Sequence, residues 1–319
     1  MTDDLDALVS EDDNSDSTPD LDFNFSLDDS PEEEPADEEE TFQRATSTTI
    51  TTNVTTVDLE KEKFNAFLSI LKLLKSSCKD LTIKEGKISQ LNDKKSLIFV
   101  IDLTSILGNE SFMISGIEKR LEILEPFGNQ NVDVFLDLAP DGYTFRDSIS
   151  QIHMVAPIQQ YIHDNNEFLE PEQVDSKLSP DISRRIFTMT FGKILLQRLF
   201  QYAKSLAANV VRIQFNGDTA KFQVQALDSA RSTIIDLATL EDELDDTSID
   251  GLITPFANQA FLNFLNAGIE EVDLEMYHRL GDSNSAMLKI TSSLAWGGDD
   301  GGEIPITINA LGPFTSEDE

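Results

Sequence analysis

Apolar and polar positions along the chain follow two different periods, and the places where the period changes divide it into elements. Ser47 to Val57 is rich in Thr, Ile and Val and predicts a strand. Over residues 58–79 the period lengthens: Phe64, Phe67, Leu68, Leu71 and Leu74 recur at helical spacing and predict a helix. Short β-like runs follow at Leu81–Lys84, Ile88–Leu91 and Leu97–Leu103, with Gly86 and Asn92-Asp93 supplying turns. A second helix is predicted over Gly116–Leu124, ended by Pro126 and Gly128. Strands are predicted over Val132–Leu138, Tyr143–Arg146 and Ser150–Val155.

The second half replays that order. Arg185–Thr190 predicts a strand, and Phe191–Ala208 a helix with Leu195, Leu199, Tyr202 and Leu206 on one face. Val210–Phe215, Lys221–Ala226 and Ser232–Leu237 predict strands, with Asn216-Gly217-Asp218 as a hairpin turn. Residues 255–267 (PFANQAFLNFLNA) predict the second helix, closed by Gly268; strands follow at Val272–His278, Ala286–Ala295 and Ile304–Ile308. Even the wording repeats: Ser96–Leu107 is SLIFVIDLTSIL and Ser232–Leu240 is STIIDLATL. Each half thus reads strand, helix, three strands, helix, three strands. A duplication at about 130 residues is too long for a solenoid repeat and predicts two similar α+β domains side by side. Their expected bounds are 46–156 and 183–311. Residues 157–182 form the connector, with Pro157, Pro171, Pro180 and the acidic Glu167, Glu170, Glu172 and Asp175.

Charge adds a further segment. The 319 residues carry a formal charge of −35, from 59 acidic and 24 basic residues. Residues 1–40 hold 18 of the acidic residues and none of the basic ones, so half the net charge lies in an eighth of the chain. With Pro19, Pro31 and Pro35 and few apolar residues, 1–45 is expected to be a disordered acidic tail. It reads as a solvating tail, as an interaction tail with Leu5, Leu8, Val9, Leu21, Phe23, Phe25 and Leu27 as docking points, or as a competitor with DNA for a basic patch. Residues 312–319 read as a short acidic C-terminal tail. The overall charge excludes a non-specific grip on nucleic acid by the whole surface, since phosphates need positive charge where the strand lies. No segment approaches the ~18 consecutive apolar residues of a membrane span, and the N-terminus lacks a basic-then-apolar signal. A cytoplasmic, reducing environment is expected.

The order of elements resembles the DNA sliding clamp family, the processivity factors that include proliferating cell nuclear antigen and the clamps of T4-like bacteriophages. The resemblance covers residues ~46–310 and rests on order and spacing. The two-domain phage version, with its helix–strand–Gly–strand opening FNAFLSILKLLKSSCKDLTIKEGKISQL, is the nearer match. It implies two helices and small antiparallel sheets in each domain, and a homotrimeric ring of six domains whose helices line a hole for double-stranded DNA. It also implies a DNA polymerase and clamp-loader proteins held through short peptides, and a place in the nucleoid or replication compartment, that of an infected host if phage-encoded.

Such a ring needs Lys and Arg facing phosphates without reading bases. Lys61, Lys72, Lys75 and Lys79 fall within ~60° of one another on the first predicted helix at 100° per residue. Lys193, Gln197 and Lys204 do so within ~40° on the matching helix of the second half, and Lys119 and Arg120 lie on the second helix of the first half. These nine are the expected DNA-facing residues; a solvated helix face is the plainer reading. Pro255–Gly268 departs from the pattern, with Asn258, Gln259, Asn263 and Asn266 but no Lys or Arg. By resemblance the partner-peptide pocket lies beside the connector, near Ile158, Tyr161, Ile162, Phe168 and Leu169.

Catalytic chemistry finds little support. Cys78 is the one cysteine, which excludes an intramolecular disulfide framework and a Cys-rich zinc site. His153, His163 and His278 form no HxH or HExxH pattern. Gly297–Gly302 and Glu241–Asp246 read as a hairpin loop and as surface acid, and no nucleotide-binding glycine motif is present. No cofactor, metal or catalytic residue is expected. Two further readings stay open: an acidic structural or interaction protein, such as a virion component or DNA mimic, and a monomeric processivity factor that holds DNA without encircling it.

Overall fold

The computed structural model describes residues 54–128, 132–140, 142–155, 169, 183–226, 233–241, 244–245, 248–280, 285–298 and 301–316. The first half contains β1 (Thr55–Leu59), α1 (Lys61–Leu74), β2 (Asp80–Ile83), β3 (Lys87–Leu91), β4 (Leu97–Asp102), the one-turn α2 (Thr104–Leu107), β5 (Phe112–Ser115), α3 (Ile117–Gly128), β6 (Val134–Ala139), β7 (Gly142–Arg146) and β8 (Gln151–Val155). The second contains β9 (Ser183–Phe191), α4 (Lys193–Leu206), β10 (Val210–Asn216), β11 (Thr219–Ala226), β12 (Thr233–Glu241), β13 (Leu252–Ala257), α5 (Gln259–Asn266), β14 (Val272–Arg279), β15 (Ser285–Trp296), β16 (Gly302–Pro313) and β17 (Thr315–Ser316). The acidic tail lies outside the described residues, as does the connector apart from Leu169.

Strand pairing among the described residues is antiparallel throughout and makes four sheets: β1-β6-β7-β8, β12-β11-β10-β13-β17, β2-β5, and a six-stranded β3-β4-β16-β15-β14-β9. The last crosses from one half to the other, because β16 pairs with β4 from Ile306↔Ile101 to Ala310↔Leu97. Two aromatic groups anchor the halves. Phe64 and Phe67 of α1 meet Phe145 of β7 at ring distances of 5.9 and 6.2 Å. In the second half Phe191 meets Phe222 at 5.1 Å and Phe261 of α5 at 5.8 Å. Burying a ring this size stabilises by roughly 1.5–3 kcal/mol, so the two groups fix where each helix lies on its sheet.

Three predicted boundaries move. The second helix, expected to end before Pro126, runs through it to Gly128. The first helix ends at Leu74: Ser77 N and Cys78 N both donate to the Leu74 carbonyl, and Cys78 is drawn into the core at 2% exposure. Ser76 and Ser77 are weak helix formers, and the turn they make lets Asp80 open β2. The predicted helix at 255–267 is instead β13 followed by the short α5. Pro255 sits in β13 opposite Arg212. On the strand's other side β17 pairs only at Leu252 and Ile253, so no ladder continues there beside Pro255, whose carbonyl instead lies against Gly312 of β16.

The halves also meet through side chains. Trp296, at the end of β15, has the Lys63 ammonium of α1 5.4 Å from its ring centre. Its indole packs so closely on Gly302 that a Cβ there would lie 3.0 Å from the ring.

Candidate nucleic-acid interface

The four long helices lie side by side in the order α3, α1, α5, α4. α1 is buried along Phe64, Ala66, Phe67, Leu68, Ile70, Leu71, Leu73 and Leu74, so only a narrow polar strip with Asn65, Ser69 and Lys72 faces out. Gly128 of α3 abuts Asn65 and Leu68, while at the other end Ile117 N donates to Lys79 O at 2.9 Å; α1 and α3 are therefore antiparallel. α5 meets α1 through a polar knot, buried at Asn263 and Ser77 and open to solvent at Ser76 and Gln259. Asn263 Nδ2 donates to Ser77 Oγ at 2.9 Å, Ser76 Oγ donates to Asn263 Oδ1 at 3.0 Å, and Gln259 Nε2 donates to Ser76 Oγ at 2.6 Å. At the same end, Asn258 Nδ2 donates to the Ala208 carbonyl just past α4. So α1 and α4 finish, and α3 and α5 begin, at one shared end of the row.

The nine expected DNA-facing residues divide by place. Lys72 is on the exposed strip of α1 and is paired with Glu125 of α3 at 3.3 Å. Lys193, Gln197 and Lys204 are exposed along one face of α4, with Leu196, Leu199 and Ala203 buried behind them; Lys193 pairs with Glu270 at 2.5 Å. Lys61 opens α1 at the opposite end from Lys75. Lys75 caps α1 and Lys79 lies beyond it, so the helical angle that grouped them does not apply. The fold nevertheless brings them together: Lys75, Lys79 and Lys119 line one cleft of about 470 Å³. Arg120 is half-buried, its Nε donating to the Ser115 carbonyl at 3.3 Å. α5 carries no charge, as its sequence indicates.

Four basic residues near the row lie outside the expected nine. Lys63 is on α1 beside Trp296, and Arg198 is exposed on α4 on the side away from Lys193 and Lys204. Lys94 and Lys95 occupy the β3–β4 turn, which read as a turn and nothing more. Asn92 fastens that turn: its Oδ1 accepts from Ser96 N at 2.8 Å and Leu97 N at 2.9 Å.

Of the expected partner-pocket residues, Leu169 is described: half-buried, its N–H donates to the Ser89 carbonyl of edge strand β3 at 2.8 Å. Ile158, Tyr161, Ile162 and Phe168 lie outside the described residues. Among the described residues no group of three or more His, Cys, Asp or Glu is placed to hold a metal ion, and no helix is long and apolar enough to cross a membrane.

No family model matches the sequence, and no curated protein matches it. Solved structures do. Proliferating cellular nuclear antigen from Entamoeba histolytica aligns over 81% of this chain and 98% of its own, at a TM-score of 0.52 and 12% identity. The PCNA2–PCNA3 complex of Sulfolobus tokodaii aligns over 80% of this chain and 99% of its own, at a TM-score of 0.51 and 13% identity. The likeness is one of fold: the chain has the α+β fold of the sliding clamps.

Proposed function

We propose that this chain is the subunit of a sliding clamp: copies join head to tail into a closed ring, the helix row lines the hole, and duplex DNA passes through it. The observation that carries the reading is a joint made once and left open once. Inside the chain the halves meet by pairing β4 with β16 and by packing α1 on α5. By element order, β12 corresponds to β4, β8 to β16, α4 to α1 and α3 to α5. Both β12 and β8 are edge strands, at the ends of two different sheets. Ile234 of β12 is 38% exposed, and Ile123, on the side of α3 away from Glu125, is 42% exposed. One chain therefore offers both sides of a second joint like its internal one. Such a contact is heterologous, closes a ring if the rotation allows, and removes two strand edges.

On this reading residues 46–156 and 183–311 are two clamp-type domains, and three chains supply six. Lys61, Lys72, Lys75, Lys79, Lys119, Arg120, Lys193, Gln197 and Lys204 face the duplex. The connector, fastened at Leu169 to β3, holds short peptides of a polymerase and a clamp loader. The ring works by topology and needs no chemical step.

The test is native molar mass by light scattering, then retention on circular DNA. A mass about three times 35.5 kDa, with retention on a nicked circle that is lost when the circle is cut, is the expected result. A monomer at micromolar concentration, or equal retention on cut and uncut DNA, overturns the reading.

A further inference from the structure

We propose that the end of the helix row where α1 finishes is a separate phosphate-holding rim that includes Lys94 and Lys95. This rests on the clamp reading and adds to it a direction and two residues.

Five lysines gather at that end. Lys75, Lys79 and Lys119 line the 470 Å³ cleft together with Asp93. Asp93 ties the cleft to the neighbouring turn: its Oδ1 accepts from Lys79 N at 3.3 Å and its N–H donates to the Ser77 carbonyl at 3.1 Å. Lys94 lines an adjoining cleft of about 390 Å³ with Ser76 and Gln259, and Lys95 follows it. Lys75, Lys79, Lys94, Lys95 and Lys119 form no ion pair with a described carboxylate, whereas Lys63, Lys72 and Lys193 along the helices each have one. Against them stand Asp93 and Glu118. In a chain of formal charge −35, this is a concentration of uncompensated positive charge.

The turn is also held in an unusual shape. Lys95 has φ +56°, in the left-handed region that side-chain-bearing residues rarely adopt, and the Asn92 bonds keep it there. A solvated turn gains nothing from Lys at that position, since Gly or Asn fits it better.

The opposite end differs. Where α5 finishes, a cleft of about 610 Å³ is lined by Glu270, Glu271 and Asp273; Lys193, which opens α4 at this end, is ion-paired with Glu270, and Lys61 opens α1 here. A polyanion on the helix row is therefore held more tightly at the end where α1 finishes. The ligand chemistry is the phosphodiester backbone of the strands leaving the hole.

The experiment uses full-length protein and fluorescein-labelled 30-base-pair duplexes, blunt or with a ten-nucleotide single-stranded extension. Anisotropy gives the affinity across a salt series. Each phosphate contact contributes about 0.9 to the slope of log K against log salt, so Lys94→Glu/Lys95→Glu is expected to lower the slope by about 2. Lys94→Gln/Lys95→Gly removes the same charges while suiting the left-handed backbone, and is expected to give the same loss with native mass unchanged. A loss on both probes places the duplex at the rim; a loss confined to the extended probe places the emerging single strand there. If both double variants keep the wild-type slope while Lys72→Glu lowers it, the rim is overturned and the clamp reading stands. If the wild-type protein is a monomer without salt-dependent binding, the clamp reading falls and the rim with it.

Discussion

Replacing Asn263 by Ala tests how the two halves of the chain are held together. Asn263 is fully buried between α5 and α1. Its amide donates to Ser77 Oγ at 2.9 Å and accepts from Ser76 Oγ at 3.0 Å and from Gln259 Nε2 at 2.5 Å. The groups it leaves behind differ in what they can recover. Gln259 keeps its bond to Ser76, and both reach solvent, so their loss is small. Ser77 is 7% exposed and is left without its amide donor in a site closed to water. One orphaned buried group costs about 1–3 kcal/mol and a second lost bond about 1 more, which gives about 2–4 kcal/mol in total. At about 2–4 °C per kcal/mol for a unit of this size, the melting temperature falls by roughly 4–16 °C. The assay is urea unfolding followed by far-ultraviolet circular dichroism, with Asn266→Ala, exposed on the same helix, as control. The urea midpoint is expected to fall with an unchanged slope for Asn263→Ala, and to move by less than about 0.5 kcal/mol for Asn266→Ala. Equal midpoints for the two variants refute the reasoning, because they mean the buried knot contributes nothing beyond a surface amide.

Three further outcomes follow from local geometry. Gly86→Ala is expected to cost more than about 2 kcal/mol, because a left-handed backbone disfavours any Cβ and this one would lie 2.0 Å from the Gly108 carbonyl oxygen. Gly217→Ala, at φ +58° with open space around it, should cost about 1 kcal/mol, and urea midpoints of the pair check the difference. Arg146, whose Nε donates to Asp137 Oδ2 at 2.6 Å, holds that carboxyl below the ordinary range, against the opposing effect of burial. A carboxyl depressed in the folded state stabilises above its unfolded value, near pH 4, and the gain is lost as pH falls through the folded value. Arg146→Ala should therefore move the acid-unfolding midpoint to higher pH, as read by circular dichroism. Burial pushes the Tyr143 hydroxyl up to about 12, and burial followed by its bond to Glu275 does the same for Tyr277. Their contribution is intact below about pH 10 and is lost as pH rises toward 12, so absorbance at about 295 nm should show Tyr143 and Tyr277 ionising later in the folded protein than in urea.

Much of this architecture could be read from periodicity, because most elements bury one face against a sheet or helix. α1, α4 and the β10–β11 hairpin fall where Phe64, Phe67, Leu199 and the Asn216-Gly217-Asp218 turn put them. The reading fails where an element is short or its partner is remote. Phe112–Ser115 has four residues and is a strand only because β2 pairs with it, while Thr104–Leu107 is a single turn. PFANQAFLNFLNA is apolar enough to pass for one helix; its first part is a strand because β10 lies alongside, some forty residues away in sequence. The pairing of Ile101 with Ile306, which joins the halves, has no local signature. At the candidate interface, lysines on α4 were legible because a helix repeats its exposed face. Lys94 and Lys95 were not, because a turn has no period and nothing in their spacing places them beside Lys75 and Lys119.

Trp296 is the chain's only tryptophan, and its indole lies between the Lys63 cation of the first half and Gly302 of the second. A positive charge so near the ring sets its emission colour, and the contact with Gly302 sets how much water reaches it. The natural chain thus carries an optical gauge of the separation between α1 and the β15–β16 hairpin. Changes in that spacing, on assembly or on meeting a ligand, are readable from the unlabelled protein's own light.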